Sequence, residues 1–172
     1  MNLSNIKSRK DFVKVIDYFG HKTGAEIGVC KGENASWILD NSKLEILYGV
    51  ENWSVKGCRK CQIETENKMQ KYVQRFKWIV GDSVIKASEF SDNSLDFIYI
   101  DGNHLYHAVK KDLEAWYPKI KTGGLFSGHD YVIARKCGVI KAVDEFFSSI
   151  KRGFLLTAED PSETNISFWM IK

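Results

Sequence analysis

The chain has 172 residues, long enough to bury a hydrophobic core, and its 44% hydrophobic and 27% charged residues are those of an ordinary globular domain. Two prolines and no low-complexity tract argue against a linker or disordered tail, and no run approaches the ~18 apolar residues of a membrane span. The net charge of +3, with Lys56, Arg59 and Lys60 read as a solvated helix face, falls short of a nucleic-acid footprint.

In chain order, charges interleaved with apolar residues at helical spacing predict a first helix over residues 11–19. No continuous apolar run precedes it, so no signal peptide and a cytoplasmic location are expected. Strand-length apolar runs then recur at 25–29, 45–50, 78–80, 95–100, 125–127, 154–157 and 166–171, separated by helical patterns at 34–40, 58–75, 84–90, 106–117 and 135–150. The clearest helix carries Val109, Leu113 and Trp116 on one stripe and Lys110, Lys111 and Glu114 opposite, and Pro118 ends it. Thr122-Gly123-Gly124 reads as a turn before the next strand.

Strands alternating with helices predict a doubly wound α/β domain spanning residues 1–172, with helices on both faces of a mostly parallel sheet. The run 95–100, apolar on nearly every residue, suits a strand covered on both faces. The last two strands have no helix between them, only a short polar loop, Asp160-Pro161-Ser162-Glu163-Thr164, so they should pair antiparallel. Cys58 and Cys61 form a single C-x-x-C with no second pair at zinc spacing, and with Cys30 and Cys137 they read as thiols of a reducing compartment.

In such a sheet, ligands bind outside the carboxyl ends of the strands. The residues that follow the first five apolar runs are Cys30-Lys31-Gly32, Glu51-Asn52, Gly81-Asp82-Ser83, Asp101-Gly102-Asn103-His104 and Gly128-His129-Asp130. Any one of these could be a cap or turn, but glycine or an acid at each of them points to a site. The loop Gly28-Val29-Cys30-Lys31-Gly32 lets a ligand approach the backbone. It is not the dinucleotide fingerprint G-x-G-x-x-G, whose later glycines would fall on Cys30 and Glu33. Glu51, ending the second strand, can accept hydrogen bonds from ribose hydroxyls, which specifies an adenosine-type ligand. Asp101, His129 and Asp130 end strands expected to be neighbours. Two carboxylates and an imidazole converging there need an offsetting charge, and a divalent cation would supply it. Otherwise Asp130 is a cap and His129 a semi-buried histidine.

The segments AEIGVCKGENASWIL, YGVENW, GDS and IDGNHLYHAVKKDLEAWYPKIKTGGLFSGHDY resemble class I S-adenosylmethionine-dependent methyltransferases. More closely, they resemble the small bacterial and phage branch related to macrocin-type sugar O-methyltransferases, from Thr23 onward. The resemblance implies a Rossmann-like seven-stranded sheet with the last strand antiparallel. It implies that Glu26, Gly28 and Gly32 hold the methionine end of the cofactor, Glu51 the ribose with Asn52 nearby, and that Asp82 and Ser83 sit by the adenine. It also implies that Asp101, His129 and Asp130 match positions that bind a divalent cation, magnesium or manganese, beside the substrate hydroxyl. Cys30 stands where the family's middle glycine is expected, and His129-Asp130 where two acids are common; a histidine ligand would favour manganese.

The expected reaction is methyl transfer to a hydroxyl of a small molecule or sugar, with Asp101 as ligand and base and His104 as the alternative base or a cap of the following helix. A non-catalytic adenosine-binding module and a metal-dependent hydroxylase on a related scaffold are the competing readings. The expected partner is a small-molecule acceptor, with no membrane; a second copy of the chain would close an otherwise open acceptor site.

Overall fold

A computed structural model describes residues 5–53, 59–133, 138–157 and 166–172. Cys58, Cys137, Lys56 and the loop 160–164 lie outside the described residues; Cys30 and Cys61 are free thiols.

The elements in chain order are α1 (Phe12–Phe19), β1 (Thr23–Ile27), α2 (Glu33–Asn41), β2 (Ile46–Glu51), α3 (Arg59–Met69), β3 (Phe76–Val80), α4 (Ser83–Ala87), β4 (Leu95–Ile100), α5 (Tyr106–Trp116), β5 (Ile120–Gly128), α6 (Val139–Ser149), β6 (Leu155–Leu156) and β7 (Phe168–Ile171). The sheet order is β3-β2-β1-β4-β5-β7-β6. β1 to β5 are mutually parallel, and β7 runs antiparallel between β5 and β6, as the missing helix between the last two strands required.

Alternation along the strands divides the core in two. Phe97 and Tyr99 of β4 face Phe12, Ile16, Ile38 and Leu39 from α1 and α2. Ile98 and Ile100 face Val109, Leu113 and Trp116 of α5 and Val143 and Phe147 of α6. Both faces are therefore covered, which is why β4 reads as a near-continuous apolar run. No helix among the described residues is long and apolar enough to cross a membrane.

Several boundaries differ from expectation. β1 stops at Ile27, two residues early, because Gly28 turns to φ 87°. β3 begins at Phe76, and α4 is a short helix over Ser83–Ala87. The segment read as a turn, Thr122-Gly123-Gly124, lies inside β5 as a bulge: Leu95 pairs with Ile120 and Phe97 with Leu125, with Gly123 at φ 82°. Glycine signals a break in pairing without saying whether the strand resumes.

Candidate active site

The strand order reverses between β1 and β4, and there a cleft of about 1110 Å³, slightly larger than most small-molecule pockets, opens beyond the carboxyl ends of the strands. Its floor is the β1–α2 loop. A Cβ on Gly28 would lie 2.1 Å from the carbonyl oxygen of Asp101, so only glycine lets the ends of β1 and β4 close up. Cys30 adopts φ 47°, so the turn keeps a left-handed conformation although a side chain replaces the expected glycine. Gly32, at φ 67°, caps the start of α2 and faces Met69 and Thr65, between Lys31 and Glu33, which line the cleft.

Glu51 organises this loop. Its Oε2 accepts from the backbone N–H of Val29 (3.1 Å) and Cys30 (3.0 Å), and its Oε1 from those of Asn52 (3.0 Å) and Trp53 (3.2 Å). Those four bonds match the lone-pair sites of a carboxylate, so ribose hydroxyls here would share acceptors already in use. Glu26 differs: it is buried, Oε1 accepts from Asn34 Nδ2 at 2.9 Å, and Oε2 has no hydrogen-bond partner. Burial, reinforced by the charge of Asp101, pushes this carboxyl up to about 8. A buried, unpartnered oxygen facing a cleft is a place for a cationic ligand group, and with the glycine turn beside it the residues present fit S-adenosylmethionine.

Further along the edge, Asp82 caps α4 through Oδ1, accepting from Val84 N–H (3.0 Å) and Ile85 N–H (3.1 Å). Ser83 Oγ donates to Asp112 Oδ1. Asp112 is buried on α5, and burial pushes its carboxyl up to about 6.

Past β4 and β5 the acids and imidazoles meet. His104 Nε2 lies 3.3 Å from Asp101 Oδ1 and its Nδ1 2.9 Å from Asp130 Oδ2. His129 Nδ1 lies 3.2 Å from Asp130 Oδ1 and 3.8 Å from Asp101 Oδ1, while its buried Nε2 has no partner. The hydrogen bonds to Asp101 and Asp130 push His104 up to about 10, and the same His104 bond, with that of His129, holds Asp130 well below the usual carboxylate range. Protonated His104 thus supplies the offsetting charge that convergence of the two acids demands. With both ring nitrogens on carboxylates it cannot act as a base in this arrangement. Nor does it cap α5: Asn103 Oδ1 accepts from Leu105 N–H there. Asp101, His104 and Asp130 each present a ligand atom within 4.8 Å of the others. Two carboxylates and an imidazole form a donor set suited to magnesium or manganese, with His104 rather than His129 as the imidazole that this geometry includes.

The cleft gathers Glu26, Gly28, Glu51, Asn52, Asp82, Ser83, Asp101, His104 and His129, with Asp130 behind the two imidazoles. It also contains residues that the sequence reading missed. Asp112 occupies the buried stripe of α5 with Val109, Leu113 and Trp116, and a carboxylate at i, i+3, i+4, i+7 spacing was its signal. Asn34 shares the buried face of α2 with Ala35 and Ile38. Arg9, whose Nη1 lies 3.8 Å from Asp101 Oδ2, precedes the first strand, where no strand-end rule looks.

A family model described as a methyltransferase domain matches residues 25–131, which contain the cleft floor and every acid and imidazole of the cluster. An uncharacterised protein of Acanthamoeba polyphaga mimivirus is 23% identical over 138 residues, 76% of this chain and 62% of its own length. The chain thus spans about three-fifths of that viral relative. Among solved structures, an O-methyltransferase from Bacillus cereus in complex with S-adenosylhomocysteine superposes with a TM-score of 0.71 at 15% identity, covering 95% of this chain and 80% of that one. A Staphylococcus aureus protein provisionally named a caffeoyl-CoA O-methyltransferase gives 0.68 at 17% identity, covering 95% and 82%.

Proposed function

The chain belongs to the methyltransferase-domain family, and from that premise we propose that it transfers the methyl group of S-adenosylmethionine to a hydroxyl of a small molecule. The observation that carries this reading is the cleft at the β1/β4 reversal, where the unpartnered oxygen of buried Glu26 lies beside the Asp101–His104–Asp130 cluster. The sulfonium cofactor supplies an activated methyl group for in-line displacement. Glu26, accepting from its ammonium, and the Gly28 turn would hold its amino-acid end, Glu51 would hold the ribose, and Asp82 and Ser83 would border the adenine. Fixing donor and acceptor in line contributes several kcal/mol of barrier reduction.

The acceptor hydroxyl would lie at the Asp101 side of the cleft, where the Asp101 carboxylate would take its proton as the methyl leaves the sulfonium sulfur, as a neutral thioether, for the hydroxyl oxygen. A divalent cation held by Asp101 and Asp130 would lower the hydroxyl pKa; His104 must then give up its proton or leave. A sugar acceptor, as in macrocin-type enzymes, is the finer form of this proposal and rests on the sequence resemblance alone.

Titration calorimetry tests the donor: S-adenosylhomocysteine should bind and NAD should not. At 100 times its dissociation constant a ligand stabilises by ~2.7 kcal/mol, which raises the midpoint of a domain this size by roughly 5–10 °C. A shift with NAD alone would falsify the assignment. Binding without turnover on any sugar or phenol, with or without manganese, would favour a non-catalytic module. Binding of iron without S-adenosylhomocysteine would favour a hydroxylase.

A further inference from the structure

Arg9 reaches the cleft from outside the segment matched by the family model, and its position is built into the fold. Ser8 and Asp11 form a reciprocal capping box around the turn Arg9–Asp11, with Asp11 Oδ2 accepting from Ser8 N–H at 3.1 Å. The indole N–H of Trp37, on α2, donates to the Lys10 carbonyl at 3.2 Å. One residue on, Phe12 is buried edge-on to Tyr99 of β4 and Trp169 of β7. The turn is therefore fastened to a helix on one side and to the sheet on the other, which fixes where Arg9 projects. Its guanidinium lies 3.8 Å from Asp101 Oδ2 and acts electrostatically on Glu26. That contact is an ion pair beyond hydrogen-bond length.

Resting on the cofactor reading above, we propose that Arg9 and Glu26 form a two-point clamp for the zwitterionic α-amino-acid end of the methyl donor, Arg9 taking the carboxylate and Glu26 the ammonium. The two groups have opposite charge, border the same end of the cleft where β1 meets β4, and are supplied by elements held rigidly against each other. Glu26 brings a buried acceptor that lacks a donor, and Arg9 brings the planar fork that matches a carboxylate. Among the described residues, the nucleoside half of the cleft, at the ends of β2 and β3, has Glu51 and Asp82 but neither of these features. An α-amino acid extending from a nucleoside seated on Glu51 would run along the sheet edge from β2 across β1 toward β4, and Arg9 stands at that end.

The clamp is tested by binding alone, with three ligands that share the thionucleoside. S-adenosylhomocysteine has both charges, decarboxylated S-adenosylmethionine has no carboxylate, and methylthioadenosine has neither group. By calorimetry, Arg9→Gln should weaken S-adenosylhomocysteine about ten- to a hundredfold while leaving the other two within about twofold. Glu26→Gln should weaken the first two and spare methylthioadenosine. Arg9→Lys, which keeps a point charge without the fork, should fall between wild type and Arg9→Gln, and it serves in place of Arg9→Gln if that variant does not fold. Unchanged affinity of Arg9→Gln for S-adenosylhomocysteine, or an equal loss for all three ligands, overturns the clamp while leaving the cofactor reading intact. If the wild-type protein binds none of the three, the cofactor reading itself fails and the clamp with it.

Discussion

Replacing Glu51 by glutamine separates two roles that the structure superposes on one side chain. The carboxylate accepts four backbone N–H bonds of 3.0 to 3.2 Å, two from the β1–α2 loop and two from its own strand end. An amide keeps one acceptor oxygen and turns an NH2 donor toward two of the N–H groups that had been bonded. Glu51→Gln therefore loses two charge-assisted bonds and creates two donor–donor conflicts. At ~1.5–3 kcal/mol for each bond to a charged group, and taking the low end for a half-exposed site, the cost is about 2–3 kcal/mol. For a chain of this length that lowers the thermal midpoint by roughly 4–12 °C. S-adenosylhomocysteine affinity should fall at least tenfold, because the loop that carries Gly28 and Cys30 loses its anchor. Thermal unfolding followed by circular dichroism and calorimetric titration at a temperature well below the midpoint measure the two effects. An unchanged midpoint with weakened binding would show that Glu51 touches only the ligand, and would refute its role as loop organiser.

Other perturbations address the remaining groups. Asp101→Asn should abolish turnover while changing S-adenosylhomocysteine affinity little; full activity of this variant, or of the wild type in excess chelator, would remove the base or the cation respectively. Removing the imidazole in His104→Ala leaves Asp101 and Asp130 facing each other, so the midpoint at pH 7 should drop and millimolar manganese should restore it; no recovery with any divalent cation would argue against a cation held by the two carboxylates alone. Glu26 is held at about 8 against an ordinary 4.5, so the folded state binds its proton more tightly. Its contribution is complete below pH 4.5 and lost as pH rises through 8, a few kcal/mol at ~1.4 kcal/mol per unit. Urea unfolding of Glu26→Gln should show a flatter pH dependence over that window, and a slope equal to wild type would contradict the burial argument.

Much of this was written in local pattern. Alternating apolar runs and helical stripes determined the doubly wound class and the antiparallel last strand, because those periodicities report which faces must be covered. The acids and glycines after the strands marked the cleft edge, because a parallel sheet brings all those ends to one side. Pairing within that edge was not legible. Which nitrogen of His104 meets Asp101 and which meets Asp130 depends on the loop path after β4 and on the register of β5. The resulting imidazolium sits between the two acids whose convergence alone had suggested an offsetting cation. Glu51 reads in the sequence as a ribose ligand, whereas its four backbone amide bonds are visible only in the fold, since the Gly28 turn brings the loop beneath it. Arg9 and Asp112 escaped because one precedes every strand and the other hides among apolar residues of a helix. Sequence spacing fixes how a residue faces within its own element, but contacts between residues such as 9 and 101, or 83 and 112, exist only once the sheet has closed and buried them together.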